Sequence, residues 1–178
     1  RLNLKDQLNS HVELGEFRGK THKIEHHMAH LSSAFHVSKF KEAVSLSVDG
    51  FGDFASTAWG FASDTRIGID RKIYFPHSLG IFYQALTQWL GFPKYGDEYK
   101  VMGLAPYGKP NKMNEMRKIL HLEKDGAFKL NLNYFKHHID NVKYEWENGE
   151  PIVGDLFSNE LEELLGPRRS REEELNKN

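Results

Sequence analysis

The sequence predicts an α/β fold, a mixed sheet with helices flanking it. Three observations lead there. Residues 43–49, 54–62 and 67–75 each alternate in polarity with the period of a strand. Leu79, Phe82, Leu86 and Trp89 recur at helical spacing behind Ser78, a good N-cap. The stretch from Ile24 to Asp53 runs a helical pattern directly into the first of those strands.

That stretch organises the chain. His26, His27 and His30 fall within five residues, just ahead of the β-branched run that ends on Asp49. With about 100° per residue over 26–38, Met28, Leu31 and Phe35 form one apolar stripe, and His26 and His30 share the opposite side. His27 points elsewhere, toward the surface or behind the pair. An i,i+4 pair brings two imidazoles within reach of one ion. Along AVSLSVD, Val44, Leu46 and Val48 share one strand face, and Asp49 delivers a carboxylate beside a Gly-Phe-Gly turn. Two imidazoles and a carboxylate leave room for a water or substrate oxygen, as a working metal site requires. The simpler alternative is a solvated, hydrogen-bonded histidine pair. HHMAH is not a zincin motif, because His27 stands where the general-base Glu would be.

Three ordered motifs, HHMAHLSSAF, SLSVDGFGDFAS and GDEYKVMGLAPYG, resemble the carbamoyltransferase family that includes NodU and the antibiotic O-carbamoyltransferases. The resemblance spans residues 24–109, with an echo at LGPRR. It implies part of an actin-like, ribonuclease-H-like ATPase domain, similar to the enzyme that makes threonylcarbamoyl-adenosine on tRNA. It also implies a metal, iron(II) first with zinc or manganese as alternatives, held by His26, His30 and Asp49. ATP and carbamoyl phosphate are the implied co-substrates, and a hydroxyl on a sugar, antibiotic or nodulation factor the implied acceptor. A further acidic ligand from the family's second half has no counterpart here. Asp53 is the candidate for orienting a ligand or the acceptor, with a solvated turn residue as the alternative.

Length and composition agree with one core. The chain has 178 residues, 39% of them hydrophobic, and a formal charge of −1. That charge gives no pull toward nucleic acid or an anionic membrane. No apolar run approaches the ~20 residues of a membrane span, and no secretory signal is recognisable. Without cysteine there is neither a disulfide framework nor a thiolate site. The expected location is the cytoplasm.

The remaining elements follow in order. The polar opening, residues 1–22, holds nothing like the family's phosphate-binding hairpin. After Asp53, two strands turn at Ser63-Asp64-Thr65 and complete an antiparallel meander, with Trp59 and Phe61 on one face, expected in the core. The helix from Ser78 closes at Gly91, with Pro93 beyond. KYGDEYKVMGLAPYGKP is too rich in glycine and proline for one regular element. On spacing alone it is a capping loop with Lys100 solvated. The resemblance instead places it near the nucleotide and carbamoyl site, making Gly50, Gly52, Lys100 and Gly103 the candidate contacts. A helix over 111–120, a strand with Phe128, Leu130 and Leu132 on one face, a loop over 145–157 and a helix over 155–166, apolar at Leu156, Leu161, Leu164 and Leu165, follow. Adjacent His137 and His138 cannot face one ion from a regular element. Leu175 is isolated among charges.

The expected organisation is a single segment with its core at about 22–166 and a charged tail at 167–178, part of a larger protein missing both ends. Alone it should have little transferase activity and a metal site that is incomplete or empty, and the apolar surface meant for the rest of the protein should promote self-association, with a homodimer as the expected form. Two other functions stay open: a metal-dependent hydrolase or phosphotransferase on the same fold, and a non-catalytic structural segment.

Overall fold

The computed structural model describes residues 4–11, 19–139 and 143–173, so Leu175 and the end of the tail lie outside the described residues. In chain order the elements are α1 (Leu4–His11), α2 (His26–Phe35), β1 (Glu42–Gly52), β2 (Ala55–Ser63), β3 (Arg66–Ile67), β4 (Arg71–Tyr74), α3 (Leu79–Trp89) and α4 (Glu98–Leu104). A 3₁₀ turn (Ala105–Tyr107), α5 (Met113–Ile119), β5 (Leu120–Leu122), β6 (Phe128–Leu130), a second 3₁₀ turn (Leu132–Tyr134), β7 (Tyr144–Glu147), β8 (Glu150–Val153) and α6 (Asn159–Leu165) follow. The fold is mixed α/β, as the alternating and helical patterns predict.

The main sheet is antiparallel. β2 lies between β1 on one side and β3 and β4 on the other. Residues 67–75, read as one strand, are two short ones, because an extra residue between Ile67 and Arg71 breaks the register, although Gly68 N and Asp70 N still donate to Phe61 O and Trp59 O of β2. The β1–β2 register pairs Val44 with Phe61, Leu46 with Trp59 and Ser47 with Ala58, then shifts between Val48 and Gly52.

Helix α2 covers one face of this sheet. Its buried residues are His27, Leu31 and Phe35, and the strand residues beneath it are small: Ser45, Ser47, Ala58 and Ala62 are all buried. The opposite face carries Val44, Leu46, Val48 and Phe61, which are exposed. Phe61 therefore is not in the core, and Trp59 is only half-buried.

A second centre of packing lies behind α3. Ile81, Ala85, Ile119, Leu130, Phe135, Leu156, Phe157 and Leu161 form it, with Phe82, Leu86 and Trp89 partly buried against it. The buried stripe of α3 is thus rotated from the expected Leu79–Phe82–Leu86–Trp89 line toward Ile81, Ala85 and Gln88. Gln88 explains the rotation. Its Nε2 donates to Gly154 O at 3.1 Å, and its Oε1 accepts from Leu156 N at 2.9 Å. A buried amide satisfied at both ends stitches α3 to the segment before α6.

Residues 145–157, expected as a loop, contain the β7–β8 hairpin. Its turn is Asn148–Gly149, with φ of 52° and 81°. The glycine-rich stretch is indeed not one element: α4 gives way to a 3₁₀ turn at Ala105. Among the described residues, no helix is long and apolar enough to cross a membrane.

Candidate metal centre

The site forms where the start of α2 meets the end of β1. Glu25 is the N-cap of α2, and its Oε2 accepts from Met28 N at 2.7 Å. Its other oxygen pairs with Lys72 Nζ at 2.8 Å, which ties the helix start to β4. Burial pushes the Glu25 carboxyl up, but Lys72 and the Met28 and His27 amides outweigh it and hold it below the usual value.

His27 sets the rotation of the helix. It is fully buried, with Nδ1 2.9 Å from Ser47 Oγ and Nε2 3.0 Å from Ala55 O. It is therefore not a surface residue. Both ring nitrogens are engaged by the sheet, and its neighbours one residue before and three after turn to the open side.

There His26 and His30 meet Asp49. His26 Nε2 lies 2.6 Å from Asp49 Oδ2, His30 Nε2 lies 3.4 Å from the same oxygen, and the two Nε2 atoms are 3.0 Å apart. Among the described residues, these three form the one group of His, Asp or Glu placed to share an ion. Asp49 Oδ1 is occupied separately, accepting from Gly50 N at 2.7 Å. Oδ2 is left to face the histidines. The hydrogen bond from His26 holds the Asp49 carboxyl below the usual carboxylate range; the Gly50 amide helps, and burial opposes it.

The donor set fits a divalent ion. Ligand atoms about 2.1 Å from one ion sit roughly 3.0–3.4 Å apart; the 3.0 and 3.4 Å edges match, and the 2.6 Å His26–Asp49 edge, a hydrogen bond here, would have to open by a few tenths of an ångström. Two imidazole nitrogens and one carboxylate oxygen suit iron, zinc or manganese. His30 is 52% exposed and Asp49 36%, so one side of the triangle is open to water or substrate oxygens.

The strand end is itself clamped. Ser78 Oγ donates toward Gly50 O at 2.7 Å, with Asp49 O at 3.2 Å, and accepts from Ile81 N at 3.1 Å. One hydroxyl therefore caps α3 and pins the backbone bearing Asp49. Gly80 permits the approach, since a Cβ there would stand 2.8 Å from Gly50. Ser78 was legible as a cap; its second role needs the tertiary contact.

The other candidate residues are placed differently. Asp53 stays outside the triangle, and its Oδ2 accepts from the His26 backbone N at 3.1 Å. Gly52 lies beneath the His26 ring. Lys100 pairs with Asp97 at 2.6 Å, and that bond raises its pKa. Gly103 is an exposed residue within α4. No described hydrogen bond or ion pair links α4 to the triangle. A cavity of about 350 Å³ flanks the start of α2, lined by Glu25, Met28, Arg71, Lys72 and Tyr74. Its two basic groups are engaged, Lys72 by Glu25 and Arg71 by Asp125.

Fold and site together define a mixed α/β domain with an open His/His/Asp cluster at a helix–strand junction. Residues 8–156 match the family model described as "Carbamoyltransferase N-terminus", and the chain belongs to that family. It is 39% identical over 153 residues to an uncharacterized protein of Synechocystis, covering 85% of this chain and 23% of that protein. It is 39% identical over 111 residues to nodulation protein NolO of Bradyrhizobium diazoefficiens, covering 61% of this chain and 20% of that protein. Nodulation protein NolNO of Sinorhizobium fredii is 42% identical over 87 residues, 49% of this chain and 13% of that protein. The chain thus spans less than a quarter of the length of these curated relatives.

Proposed function

We propose that this chain is the metal-holding part of an O-carbamoyltransferase. The proposed reaction moves a carbamoyl group from carbamoyl phosphate, through an ATP-derived carbamoyl adenylate, to a hydroxyl acceptor. In its last step the acceptor oxygen bonds to the carbamoyl carbon as the bond to the AMP oxygen breaks. Family membership supports the transferase class; the hydroxyl acceptor we propose is of sugar, antibiotic or nodulation-factor type. The observation that carries the reading is the convergence of His26 Nε2, His30 Nε2 and Asp49 Oδ2 on one point.

In this reading the three side chains hold iron(II), with zinc and manganese as ions the same donors accept. When bound, the ion supplies Lewis acidity and a template for carbamoyl or phosphate oxygens. The chain's own contribution is preorganisation. Gly50 N holds one Asp49 oxygen, Ser78 holds the strand end, and His27 holds the helix rotation. Gly50, Gly52, Lys100 and Gly103 remain the proposed nucleotide and carbamoyl contacts, on the strength of the motifs they occupy. The remainder of a protein of the relatives' length supplies the rest of the site, and the reaction is placed in the cytoplasm.

The experiment is a metal titration of the purified chain beside His30→Ala, under anaerobic iron(II). Because the three donors already converge within this chain, one equivalent is expected in the parent despite the expectation of an incomplete or empty site, with the loss of at least tenfold in affinity in the variant. Equal, near-zero metal in both defeats the reading. Supplying the full-length protein with ATP and carbamoyl phosphate should then yield carbamoyl adenylate, whereas a hydrolase would release only phosphate.

A further inference from the structure

The two residues that follow Phe51 touch the same histidine at opposite ends. A Cβ built on Gly52 would lie 1.9 Å from His26 Cδ2 and 2.3 Å from its Nε2. The imidazole therefore rests on a backbone that tolerates no side chain. One residue on, the Asp53 carboxylate accepts the His26 backbone N–H at 3.1 Å. Asp53 holds φ of 50°, a left-handed conformation that Asp and Asn adopt more readily than most residues. His26 is thus gripped at ring and backbone by the strand end that also bears Asp49.

We propose that the Gly52–Asp53 turn positions the ligand triangle, with Asp53 as a positioning residue acting through the His26 amide. The physical reason is short range. Gly52 and Asp53 stand three and four residues beyond Asp49, so one small piece of backbone fixes both partners of the 2.6 Å contact. Among the described residues no turn grips the His30 backbone in this way, and His30 meets the strand end only through its ring. Without this turn, α2 would still be seated by His27 and Leu31, but the first turn bearing His26 could shift against Asp49. A shift of a fraction of an ångström is enough to spoil a ligand set. The proposal rests on the metal reading above and assigns no step of the reaction to Asp53.

The test uses the 178-residue chain with cobalt(II), followed by its visible absorption, in the parent, Gly52→Ala, Asp53→Ala and Asp53→Asn. Gly52→Ala and Asp53→Ala should each weaken cobalt binding by about 10–100-fold and change the spectrum. Asp53→Asn keeps an acceptor and the left-handed conformation, and should restore most of what Asp53→Ala loses. Metal-free histidine ring signals by NMR supply a second readout: those of His26 should move in Asp53→Ala while those of buried His27 stay. Unchanged affinity and spectrum in both alanine variants overturns the proposal, as does an asparagine variant no better than alanine. Should the parent bind no cobalt, the metal reading fails, and the ring signals still decide whether the turn positions His26.

Discussion

The two faces of the β1–β2 hairpin are built on opposite principles. The face under α2 is made of serine and alanine, yet it is buried; the other carries Val44, Leu46 and Phe61, exposed at 76%, 64% and 50%. Apolarity alone would have put the second face inside. Fit decides otherwise, because Ser45, Ser47 and Ala58 are small enough for a helix to lie directly on them, and His27 satisfies Ser47 from above. The site depends on this choice. Side chains alternate along a strand, so Asp49 shares its face with Ser45 and Ser47. Had α2 settled on Val44 and Leu46, Asp49 would point away from both histidines.

The largest break should come from the inner face. Leu31, on the sheet-facing side of α2, is 1% exposed, so Leu31→Ala leaves a cavity and should cost about 3 kcal/mol by chemical denaturation. His27→Leu keeps most of the volume but strands the Ala55 carbonyl and the Ser47 hydroxyl. A loss of about 2 kcal/mol is expected, and His30→Leu on the open side should cost well under half of that. Equal losses at His27 and His30 would refute the division of labour between the two histidines.

A titration sharpens the contrast at the turn end of the same hairpin. His137 sits against Phe51 and Phe75, with Nε2 2.7 Å from Pro76 O. Burial pushes its pKa down, although the Pro76 carbonyl opposes this, and burial does the same to His77. The sign follows from proton counting. Below the ordinary histidine value of 6.5 the unfolded chain takes up protons that the folded chain still refuses, so stability falls as pH drops from there through the depressed folded value. The melting temperature should decline by roughly 2–4 °C between pH 7 and pH 5.5. His137→Gln should flatten that decline, and an unchanged slope in the variant would assign it to other groups.

How much of this was readable beforehand depended on how local each cause was. The His26–His30 spacing, the alternation into Asp49 and the Ser78 cap are properties of neighbouring residues, and each element formed where its pattern stood. Which sheet face α2 would choose was not local, so Phe61 was expected inside and His27 was left open between the surface and a place behind the pair. The β7–β8 hairpin was a different miss. Asn148–Gly149 is a strong two-residue turn signal and Tyr144-Glu145-Trp146-Glu147 alternates ahead of it, so this hairpin was legible; only its return flank, Glu150-Pro151, lacks the pattern of a strand. Gln88 was overlooked because a polar residue on an apolar helix reads as solvent-facing until its two partners are known.

The smallest expected effect on stability, and the plainest on behaviour, belongs to the outer face. Val44→Thr with Leu46→Thr places β-branched residues, which suit a strand, at both exposed positions, so folding stability should change by no more than about 0.5 kcal/mol per site. The parent chain, with that face open to water, is expected to self-associate as its concentration rises. The double variant should remain monomeric at the same concentrations in sedimentation. Cobalt affinity should be the same in both, because Val44 and Leu46 point away from the face that carries Asp49. A double variant that kept associating would move the sticky surface elsewhere, to the exposed Tyr99 and Met102 of α4 as the next apolar surface to test.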